Sequence, residues 1–151
     1  MKLFKKKYLS KIEMQSLSSI ISEQERNTSG EIRVIIRQRR HWKERKLSLH
    51  DLTLNEFYRL GMQNTRDKTG VLILLLLSER KFQIIADEGI HKKVEDGKWD
   101  KIAGSMTDYF KKGNYFEGIA ETIRAVGEEL TKYFPRKADD TNELSNEIIE
   151  Q

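Results

Sequence analysis

Carboxylates recur in this chain where its predicted helices and strands begin or end. Carboxylate oxygens are the ligands that Ca²⁺ and Mg²⁺ prefer, so several of them at short range would form a divalent-cation site. Without a cation, their mutual repulsion would raise some of their pKa values. No EF-hand spacing is present. The candidate metal ligands are Glu31, Asp67, Asp87, Glu88 and Asp96, with Asp100 close by in the sequence.

These carboxylates meet only if strands place them at one edge of a sheet. The first predicted strand starts at Glu31, a parallel second strand follows, and an antiparallel third strand ends at Asp87. The two strand starts and the third strand's end then lie at the same sheet edge. A simpler interpretation makes Asp87 and Glu88 turn residues, while Asp96 and Asp100 favour a helix N-terminus. The sequence leaves both interpretations open.

The same edge could support phosphoester hydrolysis through a metal-bound water. A phosphoryl group also needs a cationic partner, and Lys68 or His91 would face it. The other histidines, His41 and His50, lie far from that edge in the sequence, and no histidine pair has i, i+4 spacing. The chain has no Walker A pattern and no cysteine, which excludes a P-loop and a cysteine nucleophile. A metal-bound water is therefore the route that these residues predict.

A second candidate site is the basic segment 37–46, which contains six basic residues and one glutamate. Its cations would neutralise the phosphates of a polyanion such as nucleic acid, while its indole would stack on a base. The alternative is a solvated loop whose aromatic side chain covers the sheet edge. No familiar RNA- or DNA-binding signature accompanies the segment. The candidate polyanion-binding residues are Arg37, Arg39, Arg40, Trp42, Lys43 and Arg45.

The segment 69–87 determines the predicted fold. Its first part, Val71–Leu77, is apolar without alternation, so both faces must be covered, as in a central strand. A polar corner at 78–80 and the short apolar run 82–86 then predict a hairpin. The segment Glu31–Arg37 is rich in β-branched residues and predicts another strand. A helix between that strand and the central strand makes the two parallel.

Helical stripes and caps account for the other predicted elements. Ser10 and Glu13 form a capping box at the start of the first helix. Ser48 is the predicted N-cap of the crossover helix. Apolar stripes that include Trp99 and Ile123 predict two later helices, of which Pro135 ends the second. The order α-β-α-β-β-α-α predicts an α/β fold in which helices cover both faces of a small mixed sheet.

Length and composition indicate one soluble domain. The chain of 151 residues is long enough for one core, and 34% of its residues are charged. No apolar run approaches the roughly 20 residues of a transmembrane helix, so membrane insertion is not expected. No apolar segment follows the basic start, which predicts a cytoplasmic location without a secretory signal. The absence of cysteine excludes disulfides and thiolate zinc sites.

Charge divides the chain into segments of different character. The net charge of +4 arises from a basic N-terminal segment, 1–8, together with the basic segment 37–46, and the remainder is acidic. The predicted domain covers 9–135. The tail 136–151 is polar, and we expect it to be either disordered or docked as a short helix.

Several separated stretches resemble the TPM domain family. They are Lys68–Ile73, Ser78–Lys81, Asp87–Ile90 and Tyr109–Ile119, and the likeness extends from Ser29 to Pro135. The stretches Thr28–Arg33 and Asn142–Ser145 resemble the small, soluble, stand-alone bacterial branch of that family. The resemblance implies a three-layer α/β/α sandwich related to Rossmann-like folds, with 9–135 as a TPM-like domain.

The resemblance also implies activities. Members of the family are usually secreted or membrane-tethered, one thylakoid-lumen member is described as an acid phosphatase, and bound calcium is reported within the family. We expect neither a signal nor an anchor in this chain, which would set it apart from those members. It also reads Ser78-Glu79-Arg80 at the corner and Asp87-Glu88-Gly89 where secreted members often carry a glycine-rich loop.

Three functions are therefore predicted as alternatives. The first is a cytoplasmic binding or interaction module for a protein partner, with a Ca²⁺ or Mg²⁺ site on the acidic edge. The second is a metal-dependent, acid-phosphatase-like hydrolase at that edge. The third is polyanion or nucleic-acid binding through segment 37–46. No nucleotide or redox cofactor is expected, and the sequence does not indicate an oligomeric state.

Overall fold

The computed structural model describes residues 9–138 and 143–151. Five helices and four strands lie in these residues. A 3-10 turn at Trp42–Glu44 follows the first strand, and a second one at Leu77–Glu79 forms the hairpin corner. The helices and strands are α1 Lys11–Glu25, β1 Glu31–Arg37, α2 Leu49–Arg59, β2 Gly70–Leu76, β3 Lys81–Ala86, α3 Glu88–His91, α4 Lys98–Lys111, α5 Tyr115–Tyr133 and β4 Ile149–Glu150.

The sheet has the strand order β3-β2-β1-β4. Strand β1 runs parallel to β2 with Glu31 opposite Gly70, and β3 runs antiparallel to β2 with Ala86 opposite Val71. The start of β1, the start of β2 and the end of β3 therefore lie at one edge of the sheet, as predicted. The mixed α/β sheet with a parallel crossover and an antiparallel hairpin strand is confirmed.

Strand β2 is buried along its whole length and belongs to two cores at once. Its residues Val71, Ile73 and Leu75 pack with helices α1, α4 and α5. The alternate residues face the opposite way, and among them Leu72 packs with Phe57 of α2. Successive side chains of a strand point to opposite faces, so an unbroken apolar run serves two helical layers. The three-layer α/β/α sandwich is confirmed.

The local caps agree with the sequence. The Ser10 hydroxyl accepts from the Glu13 backbone N–H at 3.0 Å, and the Glu13 carboxylate accepts from the Ser10 N–H at 2.9 Å. The Ser48 hydroxyl caps α2 by accepting from the Asp51 N–H at 3.0 Å. None of the helices in the described ranges 9–138 and 143–151 is long and apolar enough to cross a membrane.

The C-terminal segment differs from both sequence expectations, because it ends in a strand. Residues 149–150 pair in parallel with 35–36 of β1, and the Gln151 N–H donates to the Ile36 carbonyl at 2.8 Å. Upstream, the Glu31 carboxylate accepts the backbone N–H groups of Glu143 and Leu144. The segment 143–151 is therefore neither disordered nor helical. Its start is bound by the Glu31 carboxylate, and its end forms an edge strand of the sheet.

A second carboxylate stabilises the start of β1. The Ile32 N–H donates to the buried Glu25 carboxylate at 2.7 Å. Burial outweighs this hydrogen bond and raises the pKa of Glu25 to about 8, with the nearby Glu31 contributing in the same direction. Burial also raises the pKa of Glu31, and this effect outweighs the hydrogen bonds from the N–H groups of Glu143 and Leu144, which lower it. Burial therefore disfavours the charged form of both carboxyls in the folded chain.

These raised pKa values predict that stability falls as pH rises. Glu25 keeps its proton up to about pH 8 when folded, against an ordinary value of 4.5, so the folded state binds more protons between these values. The free energy of unfolding should decrease from about pH 5 to pH 8. Glu25→Gln keeps the acceptor for Ile32 and should flatten much of that slope, as measured by denaturant unfolding across this pH range.

A matched variant separates this effect from net charge. Glu23→Gln removes the same charge from an exposed position on the same helix and should leave the slope unchanged. A Glu25→Gln slope equal to that of the wild type would contradict the assignment.

Candidate functional site

A pocket of about 410 Å³ opens between α2 and the end of β3, at the sheet edge where the sequence placed its acidic site. One side is apolar and aromatic and comes mainly from α2, with Leu54, Phe57 and Tyr58. The other side follows the exit of β3, where the chain turns through Asp87 into α3. The polar part of the pocket lies at this junction, where Asp87, Glu88 and His91 line it.

Asp87 lines the pocket at this junction. Its Oδ1 caps α3 by accepting from the Glu88 N–H at 2.8 Å. Its Oδ2 is buried and accepts no hydrogen bond among the described residues. Gln63 also lines the pocket, and its Oε1 is likewise buried and accepts no hydrogen bond among the described residues. Two buried oxygens without donors are costly and favour a ligand that supplies positive charge or N–H and O–H groups.

Basic side chains line the same pocket. Lys68 and His91 lie on its wall together with Asp87 and Glu88, as does His50, which the sequence analysis had wrongly set apart from this edge. The Lys68 Nζ donates to the backbone carbonyl of Gln63 at 2.7 Å. A cationic group therefore does lie beside the carboxylates, which a phosphate-binding site requires and a bare metal site does not.

Gly89 allows α3 to lie against the turn before β2. A Cβ at this position would lie 2.4 Å from the Asp67 carbonyl oxygen and 2.5 Å from that of Lys68. The Gly89 N–H donates to the Lys68 carbonyl at 3.1 Å, an approach that only glycine permits. This contact holds the 67–68 turn and the Asp87–Glu88 turn side by side.

The five predicted metal ligands are divided between different environments. Asp87 and Glu88 line the pocket, whereas the Glu31 carboxylate is occupied by the tail N–H groups. The Asp67 carboxylate pairs with Arg66 at 3.0 Å and Lys137 at 3.7 Å, and its hydrogen bond with Arg66 lowers its pKa.

The fifth candidate, Asp96, and the nearby Asp100 lie outside the pocket. Asp96 is exposed in the turn before α4, and Asp100 lies in the first turn of that helix, in agreement with the simpler interpretation. Among residues 9–138 and 143–151, no three His, Cys, Asp or Glu side chains form a group able to hold a metal ion. The strand edge was predicted well, but hydrogen bonding and ion pairing there divide its carboxylates into separate roles.

Two arginines of the basic segment are part of the scaffold. Arg37 is 1% exposed, and its guanidinium binds both oxygens of Glu44 at 2.9 and 2.5 Å. Arg40 pairs with Glu79 of the hairpin corner at 2.5 Å and donates to the Leu47 carbonyl at 2.6 Å. Neither guanidinium is available to a ligand, because each already satisfies buried or half-buried acceptors.

The rest of the basic segment faces solvent. Trp42 is 74% exposed, and the Arg45 guanidinium lies 4.2 Å from the centre of its ring. Arg39 and Lys43 are also exposed. The indole does not cover the sheet edge, so the predicted polyanion residues separate into an internal pair and an exposed group.

Sequence reasoning missed the α2 side of the pocket and Gln63. The apolar stripe of α2 indicated a core helix, and nothing in its spacing distinguished the residues at the pocket rim. Gln63 follows α2 in a turn and carries no pattern of its own. Only the packing of α2 across the end of β3 brings these residues to Asp87.

Comparisons with known proteins agree with this fold. A family model, the TPM domain, matches residues 4–129. The BA42 protein from the psychrophilic bacterium Bizionia argentinensis is 34% identical in sequence to this chain. Its NMR structure matches with a TM-score of 0.85, and the match covers 97% of this chain and 97% of that one. No curated protein matches the chain.

Two more distant structures share the fold alone. The N-terminal domain of a P. gingivalis protein is 23% identical, with a TM-score of 0.69 over 84% of this chain and 79% of that one. The N-terminal domain of the Corynebacterium glutamicum cg2496 protein is 11% identical, with a TM-score of 0.60 over 81% of this chain and 74% of that one.

Replacing Gly89, at which α3 contacts the turn before β2, should destabilise the protein. Gly89→Ala places a methyl group against two backbone carbonyls, which must move, at a cost of about 1–3 kcal/mol. For a chain of this size, the melting temperature should fall by about 3–10 °C. Gly104→Ala is the matched control, since its Cβ meets open space within α4 and alanine favours a helix. A Gly89→Ala protein that melts with the wild type would contradict the close approach.

Proposed function

Because the chain belongs to the TPM domain family, we propose that it is a small binding module whose ligand site is the pocket between α2 and the end of β3. The ligand is a divalent cation held on the Asp87 side of the pocket. The observation that carries this proposal is the buried Asp87 Oδ2, which has no hydrogen-bond donor among the described residues. A cation would supply the positive charge that this oxygen lacks.

The chemistry of the surrounding atoms supports a hard cation. Asp87, Glu88 and Gln63 offer carboxylate and amide oxygens, the ligand types that Ca²⁺ and Mg²⁺ select. Few protein oxygens are available, so water would complete the coordination, as is usual for Mg²⁺. Lys68 on the same wall would weaken binding, and we expect a dissociation constant of about 0.1–1 mM, as in weak calcium modules.

Cation binding should stabilise the folded chain. At about 100 times the dissociation constant, a ligand of the folded state adds about 2.7 kcal/mol. The melting temperature should therefore rise by about 5–10 °C with Ca²⁺ or Mg²⁺. Asp87→Asn should abolish that rise while keeping the α3 cap, because asparagine is as good an N-cap as aspartate.

Controls distinguish this site from general charge screening. Asp96→Asn removes an equal charge from an exposed turn outside the pocket and should keep the full rise. Amide NMR during the titration should show shifts around Gln63, Lys68 and 87–91. No thermal shift in the wild type at 10 mM of either ion, compared with NaCl of equal ionic strength, would disprove the cation site.

A second candidate function is a metal-dependent phosphoester hydrolase at the same pocket. It is favoured by Lys68 and His91, which line the pocket beside the carboxylates. A bound cation would lower the pKa of a coordinated water, and its own positive charge would stabilise the phosphoryl oxygens. Lys68 would leave its hydrogen bond to the Gln63 carbonyl and bind the phosphate, while Asp87 and Glu88 hold the cation side.

This activity would require both sides of the pocket. Hydrolysis of p-nitrophenyl phosphate with Mg²⁺ or Ca²⁺ should be lost in Asp87→Asn/Glu88→Gln. It should fall at least tenfold in Lys68→Met, whereas Asp96→Asn should be fully active. Hydrolysis that persists in the double variant would exclude this mechanism. A cation-dependent thermal shift without any hydrolysis would leave the binding module as the function.

A further inference from the structure

Trp42 is presented to solvent by a rigid support. Its 3-10 turn is held by Glu44, whose Oε1 also accepts the His41 N–H at 2.8 Å while the carboxylate binds the buried Arg37. The bidentate pair lowers the pKa of Glu44 to about 2, so the support stays ionised at neutral pH. Arg40 fixes the far end of the turn through the Glu44 and Leu47 carbonyls. Because this turn already holds the indole in an exposed position, the side chain needs little ordering before it binds a ligand.

The segment that carries the indole also contains exposed positive charge. Arg39, Lys43 and Lys46 are exposed, and within the part of the chain that the structure describes no carboxylate pairs with them. The Arg45 guanidinium stacks on the indole and also stays exposed. The charge of these exposed side chains is therefore available to an anionic partner.

The two glutamates that line the groove beside Trp42 are already paired with arginines. A groove of about 800 Å³ lies beside Trp42, and its lining includes Glu44 and Glu56. Each is neutralised within the protein, Glu44 by Arg37 and Glu56 by Arg59 at 2.5 Å. The groove is also lined by the amide side chains of Asn55 and Gln151, which can donate to and accept from a polar ligand edge.

We infer that the surface formed by Trp42, Lys43, Arg45 and Lys46 binds single-stranded nucleic acid, with one base stacked on the indole face opposite Arg45 and the phosphates beside the cations. Stacking on an aromatic ring and cations along a backbone are the two elements of such binding. Every base has a π-face, so the site would be tolerant of sequence. Arg37 and Arg40 support the surface from inside, without contacting the ligand.

An anionic bilayer fits this surface less well. Membrane insertion needs several apolar side chains at the same depth, with aromatic residues at the headgroup level. The exposed large hydrophobic residues among 9–138 and 143–151 are Ile12, Trp42 and Tyr58, and of these only Trp42 belongs to the basic segment. One indole in a charged segment is suited to stacking on a base.

Tryptophan fluorescence can test the proposal directly. The chain has two tryptophans, and Trp99 is 8% exposed, so quenching by a nucleic acid reports on Trp42. Titration with oligo(dT) of about 15 nucleotides at 50 mM salt should quench the emission. Trp42→Ala should remove the quenching and weaken binding about tenfold, as followed by the anisotropy of a labelled oligonucleotide.

Salt dependence measures the phosphate contacts. Each contact contributes about −0.7 to the slope of log K against log salt for a single strand. Lys43→Ser/Arg45→Ser should therefore make the slope shallower by about 1.4 units. Lys111→Ser/Lys112→Ser removes the same charge from the exposed end of α4 and should leave the slope unchanged. Asp87→Asn should also bind oligo(dT) normally, since this surface is separate from the pocket.

Three results would overturn the inference. The first is the absence of quenching and of anisotropy change with oligo(dT) at 50 mM salt. The second is an equal change of slope in the Lys111/Lys112 control, which would show diffuse charge attraction. The third is a blue-shifted Trp42 emission with phosphatidylserine vesicles but no oligonucleotide binding, which would assign the surface to a membrane.

Discussion

Every other element of this protein is arranged by the burial of β2. A strand that is apolar at each position must be covered on both faces and paired along both edges, because unpaired backbone groups and exposed apolar side chains are both costly there. Strands β1 and β3 pair with the two edges of β2. Helix α2 covers one face of the strand, and α1, α4 and α5 cover the other. The pocket is a consequence of this arrangement, since it opens where α2 passes the end of β3.

Hydrogen bonding decides which carboxylates remain available for chemistry. Glu25 and Glu31 hold the start of β1 and the C-terminal segment through backbone N–H groups, and burial raises the pKa of both. Asp67 is paired with Arg66 and Lys137. Asp87 uses one oxygen as a helix cap and leaves the other without a donor among the described residues. The same residue type at the same sheet edge thus serves as an anchor, an ion-pair partner and a candidate ligand.

The basic segment shows a similar division at the opposite end of the sheet. Arg37 and Arg40 satisfy Glu44, Glu79 and backbone carbonyls, which makes the turn rigid. The cations that lack such acceptors lie in the same segment as Trp42 and are exposed. A sequence count of six basic residues therefore describes two populations, and only the exposed one can meet a ligand. The pocket and this surface lie at different ends of β1, so each can be tested without disturbing the other.

The sequence by itself determined the α/β class, the sheet edge and the caps, because these depend on local patterns: the unbroken run of β2, the β-branched residues of β1, and Ser10 and Ser48 before their helices. It also placed Asp87 and Glu88 at the end of the sheet where the pocket opens. Tertiary structure alone decided that the C-terminal segment adds a strand, that Gln63 joins the pocket, and that Arg37 is buried. Those outcomes depend on which partner each polar group finds across the fold, and residues far apart in the chain, such as Glu31 and Leu144, supply those partners.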